Sequence, residues 1–206
     1  MRGRFISFEG IDGSGKSTQA RLLAQTLRAE GQLVTLTREP GGSIGAEEIR
    51  RLVLEGDPDR WSAETEILLF TAARRDHLEK TIRPALSRGE VVITDRFADS
   101  TRIFQGITRG DLTGTVNTLH DLMIGLEPDL TILIDIDPAL GLARATARAG
   151  VEMRFEDFGL DFQTKARAGF LALAARHPRF CVIDGARDAA LVAQDVHAAC
   201  HAQSHV

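Results

Sequence analysis

The sequence has few of the features that mark secreted or membrane-bound proteins. Its 206 residues include only two cysteines, Cys181 and Cys200, which have neither CxxC spacing nor neighbouring metal ligands. Both lie in apolar stretches, so we expect buried thiols instead of a disulfide. No apolar run approaches the roughly 18 residues of a membrane-spanning helix, and the opening MRGRF leaves no room for a signal peptide. These absences favour a cytoplasmic protein without membrane contacts.

Lysine is also scarce, because only Lys16, Lys80 and Lys165 contribute to the 25 basic residues. The net charge of −4 disfavours nucleic-acid binding, which needs a basic face. The three lysines supply no Asn-Lys-x-Asp motif, which argues against a GTPase. The length permits a full core, and we expect a single domain over residues 1–206.

One segment carries a phosphate-binding loop motif, consisting of Gly10, Ile11, Asp12, Gly13, Ser14, Gly15, Lys16, Ser17 and Thr18. A predicted strand at residues 4–9 precedes it, and residues 19–30 show leucines at helical spacing. Glycines allow backbone N–H groups to curl around phosphate oxygens, and the helix that follows adds its positive end. Lys16 would reach the outer phosphates and Ser17 would ligate Mg²⁺. The motif predicts binding of a nucleoside triphosphate.

Strand and helix patterns alternate along the rest of the chain. Further strands are predicted at residues 32–37, 90–95, 130–136 and 180–185. Helices are predicted at residues 46–54, 62–87, 100–106, 113–125, 138–148, 160–176 and 189–202. This alternation indicates an α/β fold of the phosphate-loop class, with five parallel strands and helices on both faces. A polar, glycine-flanked segment at about residues 149–159 is expected to be a short lid.

Several polar residues follow the predicted strands at the edge where parallel sheets bind ligands. Arg38 and Arg96 could clamp an acceptor phosphate bidentately, although a solvated arginine is the general alternative. Asp95 could organise Mg²⁺. By spacing alone Phe70 is more typical of a core. Ser62 and Asp137, the latter before a proline, are expected to cap helices.

Three histidines, at positions 197, 201 and 205, share one face of the last predicted helix. They have the spacing of a metal site, but they lie near the terminus. We expect a frayed, solvated end of the helix instead.

Four segments, in this order and spacing, resemble the thymidylate kinase family along nearly the whole chain: residues 8–18 (FEGIDGSGKST), 37–42 (TREPGG), 69–74 (LFTAAR) and 95–106 (DRFADSTRIFQG). The resemblance implies transfer of the ATP γ-phosphoryl group to dTMP with Mg²⁺, giving dTDP for dTTP biosynthesis. It also implies a homodimer.

The resemblance further implies a set of residues that hold dTMP: Asp12 at the deoxyribose 3′-hydroxyl, Arg38 and Arg96 at the phosphate, Phe70 stacked on thymine, and Arg74, Thr101 and Gln105 at the edge of the base. Phe70 and Arg74 are four residues apart and share one helix face, which is consistent with a joint role. Phe97 stands where many relatives carry tyrosine, and its ring would still exclude a ribose 2′-hydroxyl by bulk.

Catalysis is expected to depend on Lys16, Arg96 and two arginines of the lid. Some relatives carry a catalytic arginine at the position of Gly13, whereas others supply it from the lid. Gly13 together with Arg148 and Arg154 resembles the lid-supplied bacterial type, in which arginines stabilise charge on the transferring phosphoryl group.

Two alternatives remain open on the sequence alone. One is another nucleotide or deoxynucleoside kinase on the same scaffold. The other is a phosphate-loop regulatory ATPase without a small-molecule acceptor. The pair of arginines at strand ends favours a monophosphate acceptor.

Overall fold

A computed structural model describes residues 2–57, 60–147 and 159–202. Within these ranges it contains five parallel strands: β1 (Phe5–Glu9), β2 (Val34–Arg38), β3 (Val91–Asp95), β4 (Leu130–Asp135) and β5 (Phe180–Asp184). The order across the sheet is β2-β3-β1-β4-β5. The chain leaves β1 towards β2 and leaves β3 towards β4, in opposite directions, so a crevice opens above these two neighbouring strands.

The helices lie between the strands as predicted: α1 (Lys16–Ala29), α2 (Ile44–Leu54), α3 (Ala63–His77), α4 (Arg83–Ser87), α5 (Ala98–Thr101), α6 (Thr113–Met123), α7 (Pro138–Thr146), α8 (Gly159–Ala174) and α9 (Ala189–Ala202). A π-helical turn, Leu78–Ile82, joins α3 to α4 without a break. Pro84 lies in the first turn of α4, where the missing backbone N–H of proline costs the helix few hydrogen bonds. A second π-helical turn, Arg102–Ile107, follows α5 and was not predicted.

Two helix starts are fixed by the side chains that the sequence suggested. The Ser62 hydroxyl accepts a hydrogen bond from the backbone N–H of Thr65 at 3.1 Å. The Asp137 carboxylate accepts from the N–H of Ala139 at 2.9 Å, so this residue caps α7 as predicted.

Alternate residues of β4 show that helices cover both faces of the sheet. Ile132 and Ile134 pack in the cluster that contains Leu27 of α1 and Val196 of α9. Leu133, between them, packs instead with Phe170 of α8. This is the arrangement expected of a parallel sheet, and it confirms the predicted α/β fold class.

The two cysteines behave as free thiols. Cys200 is buried in the cluster under α9, Cys181 is half-buried against it, and burial raises the pKa of both thiols. Among the helices described, none is long and apolar enough to cross a membrane.

Candidate active site

Three glycines shape the loop between β1 and α1. Gly10, Gly13 and Gly15 have φ angles of +140°, +74° and +96°, a region that disfavours side chains. Lys16 folds back over this loop, and its Nζ donates to the Ile11 carbonyl at 2.9 Å. Burial, followed by the charge of a neighbouring arginine, lowers the pKa of Lys16 to about 8. The predicted phosphate loop is therefore a glycine turn with a desolvated ammonium beside it.

The loop is also in direct backbone contact with α7. A Cβ atom added to Gly13 would lie 1.9 Å from the carbonyl oxygen of Gly141, and one added to Gly141 would lie 2.7 Å from the Asp12 carbonyl oxygen. Neither position has space for a side chain. With α7 at this distance, this chain has no space for an arginine at position 13.

Arg96 connects the end of β3 to the loop. Its backbone φ of +69° is uncommon outside glycine, and such strain is concentrated at functional sites. Its guanidinium donates to Asp12 Oδ1 at 2.5 Å and to the Gly10 carbonyl at 3.2 Å. On the other side, the buried amide of Gln163 in α8 donates to Asp12 Oδ2 at 3.0 Å. The Asp12 carboxylate is therefore held by two side chains, Arg96 after β3 and Gln163 in α8.

Glu9 lies beneath this pair and is fully buried. Its carboxylate accepts from the Phe97 N–H at 2.8 Å and from the Ser100 hydroxyl at 2.6 Å. Burial raises the pKa of Glu9 to about 7, and the nearby Asp99 adds to the rise. Glu9 therefore anchors the turn after β3, a role that no sequence motif indicated.

Asp95 and Ser17, the two predicted magnesium ligands, line the same cavity. Oδ1 of Asp95 is buried and has no hydrogen-bond partner among the described residues. A buried carboxylate oxygen in that state fits a cation or a cation-bound water. Both residues are therefore suited to Mg²⁺.

Arginines line the side of the cavity formed by β2 and α2. Arg38 contacts both carboxylate oxygens of Glu47 at 3.2 Å, and its side chain is more than half exposed. Arg50, which was not predicted, donates to the Pro40 carbonyl at 2.5 Å and lines the same cavity.

Arg74 is buried and tightly held. Its Nε donates to Glu39 Oε2 at 2.7 Å, and its NH2 donates to the Thr101 hydroxyl at 3.0 Å. The other oxygen of Glu39 contacts Nδ1 of the buried His77 at 3.0 Å, and Nε2 of that ring contacts Thr37 Oγ1 at 2.7 Å. This network orients Arg74 towards the cavity.

Gln105 is held in a similar way by an acid from another helix. Its Nε2 donates to Glu66 Oε2 at 3.0 Å, and Arg109 donates to Glu66 Oε1 at 2.5 Å. Glu66 is fully buried, and 2% of Gln105 is exposed. Both oxygens of Glu66 accept hydrogen bonds here, so the amide turns its N–H₂ towards Glu66 and its Oε1 away.

Three aromatic residues line the cavity. Phe70 is half-buried and lines it, as its predicted role requires. The ring of Phe104 also lines it, 5.0 Å from the Arg96 guanidinium. Phe97 is among the lining residues as well, and its buried side chain packs edge-on against Phe5, 4.9 Å between ring centroids. Its predicted contact with the sugar stays a prediction.

The binding residues predicted from the sequence thus converge on a single cavity of about 350 Å³. Thr101 lines it from the end of α5 and Gln105 from the π-helical turn that follows. The phosphate loop closes the other side of the cavity. Two predicted residues cannot be placed, because Arg148 and Arg154, with nearly all of the segment 149–159, lie outside the described residues.

Comparison with known proteins gives a consistent result. A family model described as thymidylate kinase matches residues 8–196. A thymidylate kinase of Ruegeria pomeroyi is 71% identical over 195 residues, covering 94% of this chain and 92% of that protein. One of Caulobacter vibrioides is 52% identical over 183 residues, with 88% of each chain covered. A solved structure of thymidylate kinase from Ehrlichia chaffeensis has a TM-score of 0.79 at 35% identity, covering 98% of this chain and 99% of that one.

Proposed function

Because the chain belongs to the thymidylate kinase family, it is an enzyme that phosphorylates dTMP to dTDP, and we propose how its residues divide this reaction. The supporting observation is that one cavity joins the phosphate loop to a buried Arg74 and Gln105, two side chains suited to a pyrimidine. The loop suits a donor triphosphate, and the opposite wall suits an acceptor base.

The donor is ATP, held by the backbone N–H groups of the loop and by Lys16. Ser17 and Asp95 would hold Mg²⁺, which would supply positive charge against the negative charge that develops during transfer. The low pKa of Lys16 reflects its desolvation, and a bound triphosphate would favour its charged form.

The acceptor phosphate binds between Arg96 on one side and Arg38 with Arg50 on the other. Arg96 is already fixed by Asp12 and by its own backbone. Arg38 can exchange Glu47 for a phosphate, because a largely exposed ion pair contributes little stability. The bidentate geometry of arginine suits a phosphate dianion.

The deoxyribose lies against Asp12 and Phe104. Asp12 is positioned by Arg96 and Gln163, and its carboxylate is suited to accept a hydrogen bond from the 3′-hydroxyl. Phe97 and Phe104 both line the cavity, and their rings would exclude a 2′-hydroxyl by bulk.

The base stacks on Phe70 and is read along its edge. Arg74 donates to a thymine carbonyl, with Thr101 beside it. Gln105 presents Oε1, which accepts a hydrogen bond from the N3–H of thymine or uracil. Cytosine has an unprotonated N3, which would face that oxygen as a second acceptor. Glu66, by fixing the amide, therefore selects between the two classes of pyrimidine.

Arg148 and Arg154 supply the remaining positive charge from the lid. No arginine can enter the loop at Gly13, so another segment must provide it. A closed lid also keeps water from the γ-phosphate, which prevents hydrolysis of the donor.

A coupled ADP-release assay across dTMP, dUMP, dCMP, UMP, thymidine and no acceptor tests this function. We expect strong turnover with dTMP, weaker turnover with dUMP, and little with dCMP or thymidine. Turnover of thymidine would instead indicate a nucleoside kinase, and ADP release without any acceptor would indicate an ATPase.

We also propose that the chain forms a homodimer. Leu68 on α3 and Leu122 and Met123 on α6 are exposed apolar side chains, and these two helices are neighbours. A second copy would bury them. Light scattering coupled to gel filtration would detect the dimer, and Leu122→Glu should shift the protein towards the monomer without changing its fold.

A further inference from the structure

His197 and His201 lie far from the phosphate loop and have no part in phosphoryl transfer. The expected frayed end is not observed up to Ala202, because α9 is helical to that residue. His205 lies outside the described residues. Glu30, which caps the C-terminal end of α1, faces His197 and His201. Since α1 begins at Lys16 and has 14 residues, this cluster lies about 20 Å from the active site.

Three potential ligand residues converge in this cluster, and each offers one ligand atom within 4.8 Å of the other two. Nε2 of His197 is 2.6 Å from Glu30 Oε1 and 3.0 Å from Nε2 of His201, and Nε2 of His201 is 3.6 Å from Glu30 Oε2. Two ligand atoms bound to a tetrahedral zinc ion at about 2.0–2.1 Å lie about 3.3 Å apart. The side chains therefore already lie close to the spacing that a tetrahedral ion needs.

The two helices that carry these residues are held rigidly. Leu23 and Leu27 of α1 share one buried cluster with Val192, Val196 and Cys200 of α9. His197 and His201 are one turn apart, so their rings stand on the same face of α9. The ligand side chains thus extend from a packed interface between two helices, which reduces the entropy lost on binding an ion.

We propose that Glu30, His197 and His201 form a binding site for a divalent transition-metal ion of the zinc class. Two imidazoles and one carboxylate select Zn²⁺, Ni²⁺ or Cu²⁺ over Mg²⁺ and Ca²⁺, which prefer oxygen ligands. The side chains are one-third to one-half exposed, so an ion can enter from solvent and keep water in a remaining coordination position. A bound ion links α9 to α1 and stabilises the C-terminal helix.

Titration of the full chain without a histidine tag tests the site. Calorimetry with ZnCl₂ should show saturable binding of one ion per chain, and excess MgCl₂ should not compete. Co²⁺ should give the visible absorption of a tetrahedral complex, and Zn²⁺ should raise the melting temperature.

Variants assign the binding to these residues. We expect His197→Ala with His201→Ala to weaken Zn²⁺ binding at least about tenfold and to abolish the rise in melting temperature. Glu30→Gln, which leaves both histidines in place, should weaken binding while leaving the melting temperature without metal nearly unchanged. His177→Ala, which removes an exposed histidine elsewhere, is the matched control and should bind as the unaltered chain does. Absence of saturable Zn²⁺ binding, or equal binding by the double variant, would overturn the proposal.

Discussion

The most informative change is Glu66→Gln, because it tests how the base is selected without removing any group that touches the base. Glu66 now accepts from Gln105 at 3.0 Å and from Arg109 at 2.5 Å. A glutamine at this position has one oxygen and one N–H₂ group, so it cannot accept from both neighbours in the same way. The amide of Gln105 is then free to rotate and to present its N–H₂ group to the cavity.

The size of the effect follows from the burial of these groups. Gln105 is buried, and a buried donor or acceptor left without a partner costs about 1–3 kcal/mol. In the rotated state, the Gln105 N–H₂ faces the N3–H of thymine, donor against donor. If the complex with thymine loses that energy, kcat/KM for dTMP falls roughly 5- to 150-fold. Cytosine, with an acceptor at N3, gains a partner, so kcat/KM for dCMP should rise.

The assay measures kcat/KM for dTMP, dUMP and dCMP with ATP saturating. The dTMP and dUMP values should fall together, since both bases carry N3–H. Glu64→Gln, an exposed acid in the first turn of the same helix, is the control for the loss of one charge and should leave all three values unchanged. If Glu66→Gln lowers all three values equally, or leaves the ratio of dTMP to dCMP unchanged, then Glu66 does not orient Gln105.

Three further predictions concern the donor, the base and the lid. Arg148→Ala or Arg154→Ala should lower kcat at least about tenfold with a much smaller change in KM for dTMP, and an unchanged kcat in both variants would refute the lid assignment. Phe70→Ala should weaken dTMP binding far more than ATP binding in calorimetric titrations; equal losses for the two ligands would contradict the stacking role. Because the pKa of Lys16 in the free enzyme is lowered to about 8, its charge is lost above that pH, so kcat/KM for ATP should fall as pH rises through about 8. A profile that stays flat up to about pH 9.5 would contradict this role.

Local signals in the sequence were enough for the fold and for most of the site. Each strand lies within two residues of its prediction, and the caps at Ser62 and Asp137 are as expected, because both depend on residues close in the chain. The order of the strands could not be derived in this way, since it depends on which distant segments pack together.

The residues that orient the site were missed for a related reason. Gln163 is 151 residues from Asp12, Glu66 is 39 from Gln105, and an acid on a predicted helix resembles a solvated side chain. Phe104 lies in the π-helical turn and lines the cavity with Phe97, and the motif alone did not single it out. Sequence motifs identified groups that line the cavity, whereas the groups that hold them depend on tertiary packing.

The contact between the loop and α7 also constrains how this enzyme can change during evolution. An arginine at position 13 would collide with the carbonyl of Gly141, 1.9 Å from the first side-chain atom. No single substitution can therefore place a catalytic arginine in the loop, because α7 would have to move away at the same time. A loop arginine and the lid arginines proposed above are thus alternatives separated by a backbone rearrangement, and a descendant of this chain could exchange one for the other only through several changes together.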